Sequence, residues 1–230
     1  MPLIRNRDIS RLEGFSDAVF AFAATLLVVS LEVPRDFQAL VTQLYGFISF
    51  AVTFGALVAI WTIHNAYFRR YAIHDGWITF LNSALLFVVL FYVFPLKFLA
   101  ESFFGSLLGI QASAITLNDV SELAQLFMLY SAGFCAIFLV IALMYLHAWR
   151  SRESLRLTDF ETWEAAYLGR HYSLFALVSL LTILVAWLGW GIRFGAPGML
   201  FFLLGPLCWG HAVWSERFRP ASTEAVGGKT

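Results

Sequence analysis

Charged residues are scarce in this sequence. Of 230 residues only 13% are charged whereas 60% are hydrophobic, and the mean hydropathy is +0.76. Soluble domains carry roughly 25% charged residues, so this chain has too little polar surface to cover a water-soluble body of its size. The formal net charge is zero, and no basic excess indicates a nucleic-acid partner. These shortages predict an integral membrane protein whose apolar surface is covered by the lipid bilayer.

Motifs that carry enzyme chemistry are also missing. The two cysteines, Cys135 and Cys208, lie in apolar runs, where thiols are usually packing groups rather than redox centres. The five histidines show no HExxH spacing, and there is no P-loop, GxGxxG or GxSxG motif. We therefore predict no enzyme, metal site or cofactor. A TVGYG carbonyl filter and a voltage sensor of repeated arginines are absent too, which excludes the familiar kind of tetrameric potassium channel.

Six stretches are long and apolar enough to cross a bilayer, which takes about 20 residues. The predicted helices cover residues 15–33, 45–68, 77–96, 123–149, 172–192 and 198–214. Residues 97–121 are intermediate in polarity and are expected to lie at the membrane surface or to form a turn outside it. The predicted fold class is an all-α membrane protein, with a six-helix transmembrane unit over 1–218 and a polar, disordered tail over 219–230. The first helix contains Asp17 and lacks a cleavage site, so we interpret it as a retained helix.

The basic residues predict the orientation of the chain. With six helices, twelve of the fifteen Lys and Arg residues fall on the side of the two termini. Basic residues in short loops favour the cytoplasmic side, so both termini are predicted to be cytoplasmic. Tryptophans stand near the predicted helix ends, as an aromatic belt requires: Trp77, Trp149, Trp190 and Trp214.

A few polar residues fall inside the predicted helices at one depth, near the cytoplasmic side. They are Ser16 and Asp17 in the first helix, His64 and Asn65 in the second and Asn82 in the third. Asp17 can accept a hydrogen bond from His64, and Asn82 can bridge as donor and acceptor. Two hypotheses stay open: interhelical hydrogen bonding that holds three helices in register, which is the commoner use of such groups, or a proton- or ion-handling site.

The first helix carries an apolar stripe. At 100° per residue, Ala18, Thr25, Leu26 and Val29 all fall within about 60° of Phe22. Ser16 and Asp17 fall on the back of the helix. The stripe can face lipid, other helices or the axis of a channel, and periodicity alone favours packing.

The residues Arg11-Leu-Glu-Gly-Phe15-Ser16-Asp17 fit the pattern R-x-x-x-F-S-D at the start of a first helix. With Trp61, His64, Asn65 and Asn82 in the next two helices, the sequence resembles the transmembrane protein 175 family, endosomal and lysosomal potassium channels with prokaryotic relatives. The resemblance is clear over the first three helices. In helices four to six it is one of number and spacing.

The resemblance implies a homotetramer with one six-helix unit per chain in a prokaryotic plasma membrane. The first helices would line the pore, and selectivity would arise at side-chain rings rather than at carbonyl groups. Constrictions are then expected at Phe22, Leu26 and Val29, with a hydroxyl ring at Thr25 between them. Phe22 departs from the family, which usually has isoleucine or leucine at the first constriction. The supporting network would comprise Arg11, Ser16, Asp17, Trp61, His64, Asn65 and Asn82, although Arg11 does not share the back face in a straight helix.

The predicted function is therefore a potassium-permeable channel with an apolar constriction that also serves as a hydrophobic gate. Its permeating ion is potassium, and its partners are further copies of the chain and the bilayer, with no nucleic acid. A proton leak or proton-coupled transporter that uses Asp17 and His64 is one alternative. A non-conducting membrane scaffold is another, and a membrane enzyme is the least favoured.

Overall fold

The structure is a computed structural model that describes residues 10–30, 35–108 and 120–220. The fold is all-helical, and six helical segments are long and apolar enough to cross a membrane, which confirms the predicted fold class and number of spans. The helices are α1 (Arg11–Val29), α2 (Phe37–Tyr71), α3 (Gly76–Leu108), α4 (Val120–Arg150), α5 (Asp159–Trp187), α6 (Ala196–Met199) and α7 (Leu204–Glu216). The sixth span is Ala196–Glu216, which comprises α6, a 3-10 turn and α7.

The third helix is longer than predicted. It passes through Pro95 and ends at Leu108, so residues 97–108 of the expected surface segment belong to a helix. An interior proline removes one backbone hydrogen bond. Membrane helices tolerate this because groups of neighbouring helices can satisfy the freed backbone carbonyl. The rest of that segment, 109–119, lies outside the described residues.

The fifth helix starts and ends earlier than predicted. It begins at Asp159 because Thr158 and Glu161 form a capping box, in which the Thr158 hydroxyl accepts from the Glu161 N–H at 3.2 Å and the Glu161 carboxylate accepts from the Thr158 N–H at 2.8 Å. It ends at Trp187, shortly before Gly189 and Gly191, whose φ angles are 74° and 64°. A residue with such a φ angle interrupts an α-helix, and glycine adopts these angles readily. The predicted helix end at residue 192 was therefore wrong.

The sixth span is not one regular α-helix. The four-residue α6 leads into a 3-10 turn over Leu200–Leu203, and α7 follows. Pro206 has no N–H to donate to the carbonyl four residues earlier, which helps to explain the irregular turn before it. The prediction located this span but not the irregularity.

The chain forms two compact units, Met1–Leu126 and Phe127–Thr230. In the first unit α1, α2 and α3 pack against one another, around buried residues such as Leu27, Phe68 and Leu85. In the second unit α4 packs with α5 through several aromatic ring contacts, and α5 also contacts α6 and α7. A Cβ on Gly169 of α5 would lie 2.8 Å from Leu146 Cδ2 of α4, so this glycine allows the two helices to approach closely. The single unit 1–218 stays a prediction, and all but two residues of the predicted tail lie outside the described ranges.

Candidate functional site on the first helix

The start of α1 is fixed by a capping box. The Ser10 hydroxyl accepts from the Glu13 N–H at 3.2 Å, and the Glu13 carboxylate accepts from the Ser10 N–H at 2.8 Å. Two backbone donors that a helix start leaves unpaired are thereby satisfied. The box sets where α1 begins, and hence the depth at which its later side chains stand.

One face of α1 is buried against α2 and α3. Its buried residues recur every three or four positions, which is the spacing of a single helix face: Glu13, Ser16, Phe20, Ala23 and Leu27. The arrangement places Ser16 against α3 and Phe20 against α2, where the phenyl ring lies 5.5 Å from the His64 ring.

A buried hydrogen-bond network joins the three helices. Asn82 Nδ2 donates to Ser16 Oγ at 2.9 Å, and Ser16 Oγ donates to the Leu12 carbonyl at 2.8 Å. Asn82 Oδ1 lies 2.6 Å from His64 Nε2. With the amide oriented in this way its oxygen accepts, so the network assigns the proton to His64 Nε2. Ser16 and Asn82 are 0% exposed and His64 is 2% exposed, which makes each of these bonds costly to break.

Asp17 lies outside this group. Its Oδ1 accepts from Trp61 Nε1 at 2.7 Å, and the carboxylate is exposed. The sequence allows a hydrogen bond from His64 to Asp17, but in the structure His64 bonds Asn82 and Asp17 bonds Trp61. Consecutive residues of a helix point about 100° apart, so Ser16 reaches α3 whereas Asp17 reaches α2.

Two other residues of the expected network also differ from its buried members. Arg11 is exposed at the start of α1. It projects within about 20° of Phe22 on the helix wheel, away from the packed face. Asn65 is half-exposed on α2 and takes no part in the Ser16–Asn82–His64 group. The structure thus brings together Ser16, His64 and Asn82, and separately Asp17 and Trp61.

The opposite face of α1 is apolar and uncovered in the single chain. Phe22 is 56% exposed and Val29 is 71% exposed, while Leu26 is half-buried. Phe15 continues the same face. Thr25 is also exposed, and its hydroxyl donates to the Ala21 carbonyl at 2.9 Å, which leaves its oxygen lone pairs free to accept from outside the helix. The face combines apolar side chains with one hydroxyl.

The other end of α1 carries a contact that the sequence reasoning missed. Lys97 of α3, only 8% exposed, donates from Nζ to the Ser30 carbonyl at 2.9 Å and to the Ser30 hydroxyl at 2.8 Å. Its ammonium also lies 3.4 Å from Glu101. A cation is favourable where the last carbonyls of a helix point. In the sequence this lysine directly follows an apolar run and opens the segment 97–121, which is expected at the membrane surface or in a turn outside it.

Comparisons with known proteins agree on one family. A family model described as "Endosomal/lysosomal potassium channel TMEM175" matches residues 11–92. A potassium channel of Marivirga tractuosa is 35% identical over 213 residues, which cover 88% of this chain and 86% of that protein. The alignment is long enough to take in helices four to six, beyond the three helices that carry the motif.

Two solved structures are similar to this fold. A crystal structure of a variant of the potassium channel MtTMEM175, in complex with a nanobody–MBP fusion protein, aligns with a TM-score of 0.83 and 32% identity over 94% of this chain and 97% of that chain. A crystal structure of a lysosomal potassium-selective channel TMEM175 homologue from Chamaesiphon minutus aligns with a TM-score of 0.50 and 25% identity, over 84% of this chain and 96% of that chain.

Proposed function

The chain belongs to the TMEM175 family, and we propose that it is a potassium-permeable ion channel with α1 at the centre of its conduction path. The observation that carries this proposal is the division of α1 into two faces. One face is hydrogen-bonded to α2 and α3, and the other presents exposed Phe22, Thr25 and Val29. We propose potassium as the permeating ion because the relatives are named potassium channels.

A single α1 cannot enclose a path, so the proposal requires several copies of the chain. We propose a homotetramer in which four α1 helices surround the axis. The exposed residues Phe15, Phe22 and Val29 are spaced by seven residues, so equivalent residues of the four copies would form successive rings. Seven-residue spacing keeps side chains on one seam between helices.

Within that pore, Phe22, Leu26 and Val29 would form apolar constrictions and Thr25 the only ring of hydroxyl groups among them. Apolar rings supply no oxygen to replace an ion's water. An ion must therefore shed part of its hydration, which costs less for potassium than for sodium because potassium binds water less tightly. Selectivity of this kind is modest, and dewetting of the ring at Phe22 would close the pore.

The proton-path alternative gains no support from the hydrogen-bond pattern. Asp17 and His64 have separate partners, Trp61 and Asn82. The role left for the Ser16–Asn82–His64 group is to hold α1 in position behind the pore. We propose no catalytic activity and no cofactor, and both termini on the cytoplasmic side of a plasma membrane.

The test is the reversal potential of purified protein in a planar bilayer with potassium on one side and sodium on the other. We expect a clear shift toward the potassium equilibrium potential. Phe22→Asn and Leu26→Asn should increase the leak and move the reversal potential toward zero, because a polar ring stays hydrated. Unchanged currents in both variants would remove these residues from the pore, and absence of ion flux from correctly assembled protein would favour the scaffold.

A further inference from the structure

The second unit contains a cavity that no part of the proposed pore uses. Its volume is about 450 Å³, within the range of sites for small ligands. Aromatic residues Trp149, Trp163, Trp214 and Phe218 line it, together with Arg170 and Asp159. It lies among the C-terminal end of α4, the N-terminal half of α5 and the C-terminal end of α7.

This cavity stands at the level of the membrane surface. Trp149 directly precedes Arg150, the last residue of α4, and Trp214 lies two residues before the end of α7. Both helix ends belong to segments that are long and apolar enough to cross a membrane, Ser121–Arg150 and Ala196–Glu216. Tryptophans at span ends occupy the headgroup region, where an apolar ring and a polar N–H are both satisfied. A ligand of this cavity is therefore a molecule that reaches it at the headgroup level.

The aromatic wall of the cavity is already fixed in place. Trp163 Nε1 donates to the Ser215 carbonyl at 3.2 Å, and its ring stacks on Tyr167 with centroids 5.4 Å apart and planes at 7°. Tyr167 in turn stacks on His211 at 5.0 Å. Because contacts within the chain hold these side chains in place, ligand binding has little side-chain ordering to impose.

Arg170 supplies a positive charge to this cavity. Its guanidinium carbon lies 5.4 Å from the centroid of the Trp214 ring. Helical side chains lean toward the N-terminus, which directs Arg170 toward the membrane surface, and no carboxylate among the described residues forms an ion pair with it. Two arginines nearby are paired: Arg152 with Glu153 at 3.8 Å and Arg219 with Glu216 at 3.0 Å. Arg170 is the arginine in the lining of the cavity, so it can take a phosphate there.

A stripe of leucines continues from Arg170 into the membrane. Leu177, Leu181 and Leu184 are exposed, and their spacing from residue 170 keeps them on its face of α5. From residue 170 to residue 184 the helix rises about 21 Å, which exceeds the roughly 15 Å of one hydrocarbon leaflet. One lipid can therefore place its phosphate at Arg170 and its acyl chain along this stripe.

We propose that the cavity binds the headgroup of an aminophospholipid, with the phosphate on Arg170 and the ammonium between Asp159 and the tryptophans. Asp159 precedes Arg170 by eleven residues and lies nearer the aqueous phase. In such a lipid the ammonium lies nearer the aqueous phase than the phosphate does. Asp159 likewise lies nearer the aqueous phase than Arg170. The carboxylate attracts an ammonium, and aromatic faces add to that attraction, so a headgroup without a positive charge fits less well.

The test counts lipids retained by the purified full-length protein in native mass spectrometry after mixing with phosphatidylethanolamine or phosphatidylglycerol. We expect preferential retention of phosphatidylethanolamine. Arg170→Gln should weaken that retention about tenfold, as expected for loss of a charge-assisted hydrogen bond. The matched control is Arg193→Gln, the same change at an exposed arginine beyond the opposite end of α5, which should leave retention unchanged.

A second variant separates headgroup recognition from simple loss of binding. Asp159→Asn, at an exposed position, should reduce the preference for phosphatidylethanolamine over phosphatidylglycerol while lipid is still retained. Stronger retention of phosphatidylglycerol by the unmodified protein would overturn the proposal in favour of an anionic lipid. Equal losses in Arg170→Gln and Arg193→Gln would also overturn it, because the binding would then follow overall charge.

Discussion

The two faces of α1 differ in where their polar groups lie. The face against α2 and α3 buries the Glu13 carboxylate and the Ser16 hydroxyl, and each of these groups is hydrogen-bonded. The uncovered face presents Phe15, Phe22 and Val29. A surface helix of a soluble protein instead presents charged and polar residues on its uncovered face. Since lipid is as apolar as leucine, helices in a membrane gain little from burying apolar surface, and hydrogen bonds and close packing hold them together.

If α1 lines the pore as proposed, this difference predicts that stability depends on the packed face of α1 and permeation on the uncovered face. Substitutions on the packed face should alter folding, because they disturb contacts within one chain. Substitutions on the uncovered face should alter ion flow or assembly, because those side chains meet only partners outside the chain. The following substitutions test that separation.

The largest effect is expected from a pair of phenylalanines two positions apart. Phe20 is buried beside His64, whereas Phe22 is uncovered. Phe20→Ala should lower the free energy of unfolding by about 3 kcal/mol, because it leaves a cavity. Phe22→Ala should change it by less than about 1 kcal/mol and should instead increase ion leak. Thermal denaturation and bilayer currents measure the two effects, and equal destabilisation by both variants would contradict the separation of faces.

A second pair concerns the buried network. Asn82→Leu leaves Ser16 and His64 without their partner in a site that is 0% exposed at Asn82. We expect a loss of about 2 kcal/mol, since buried groups that lose a partner are expensive even where interhelical bonds are individually modest. The matched control is Asn65→Leu at the half-exposed neighbour of His64, which should change stability little. Similar melting temperatures for both variants would show that the network does not hold the helices.

Much of this arrangement could be predicted from the sequence. Hydropathy located six spans because each is a long apolar run, and the depth of Ser16, His64 and Asn82 brought them to one level. Depth alone could not predict the hydrogen-bond partner of Asp17. The choice between His64 and Trp61 depends on which residue of α2 faces that side of α1. That information lies in the packing of three helices and not in any one of them.

Charge patterning also misled at one position. A basic residue after an apolar run usually marks a loop, so the sequence predicts that Lys97 lies outside the helices. In the structure α3 continues past it, and its long side chain reaches the Ser30 carbonyl at the end of α1. The early start of α5 had a local signal, Thr158 and Glu161 three residues apart, which a hydropathy window does not detect because the first turns of that helix are polar.

Lys97 provides a third test at the far end of α1. Lys97→Met keeps the length of the side chain but removes the donor to Ser30, and we expect a loss of about 1 kcal/mol. Because Ser30 follows Val29, the same change should loosen that end of the uncovered face and alter the selectivity measured by reversal potentials. The control Glu101→Gln removes only the pair at 3.4 Å, which as an i,i+4 pair is worth about 0.3–0.5 kcal/mol. An equal loss in both variants would assign the effect to that pair and not to the end of α1.

The smallest effect is expected at Asp17. Asp17→Asn keeps an oxygen that can accept from Trp61 Nε1, so the 2.7 Å hydrogen bond can persist with a neutral acceptor. The substitution removes only the contribution of the negative charge to that bond. Because the carboxylate is exposed, we expect a change below about 0.5 kcal/mol. Potassium current should be retained, since the substituted group lies on neither the uncovered stripe nor the Ser16–Asn82–His64 network. The proton-path hypothesis requires the opposite result: a proton flux in the unmodified protein that Asp17→Asn abolishes. Measuring potassium current and proton flux in the same reconstituted variant therefore distinguishes a residue that braces α1 against α2 from one that carries the transported charge.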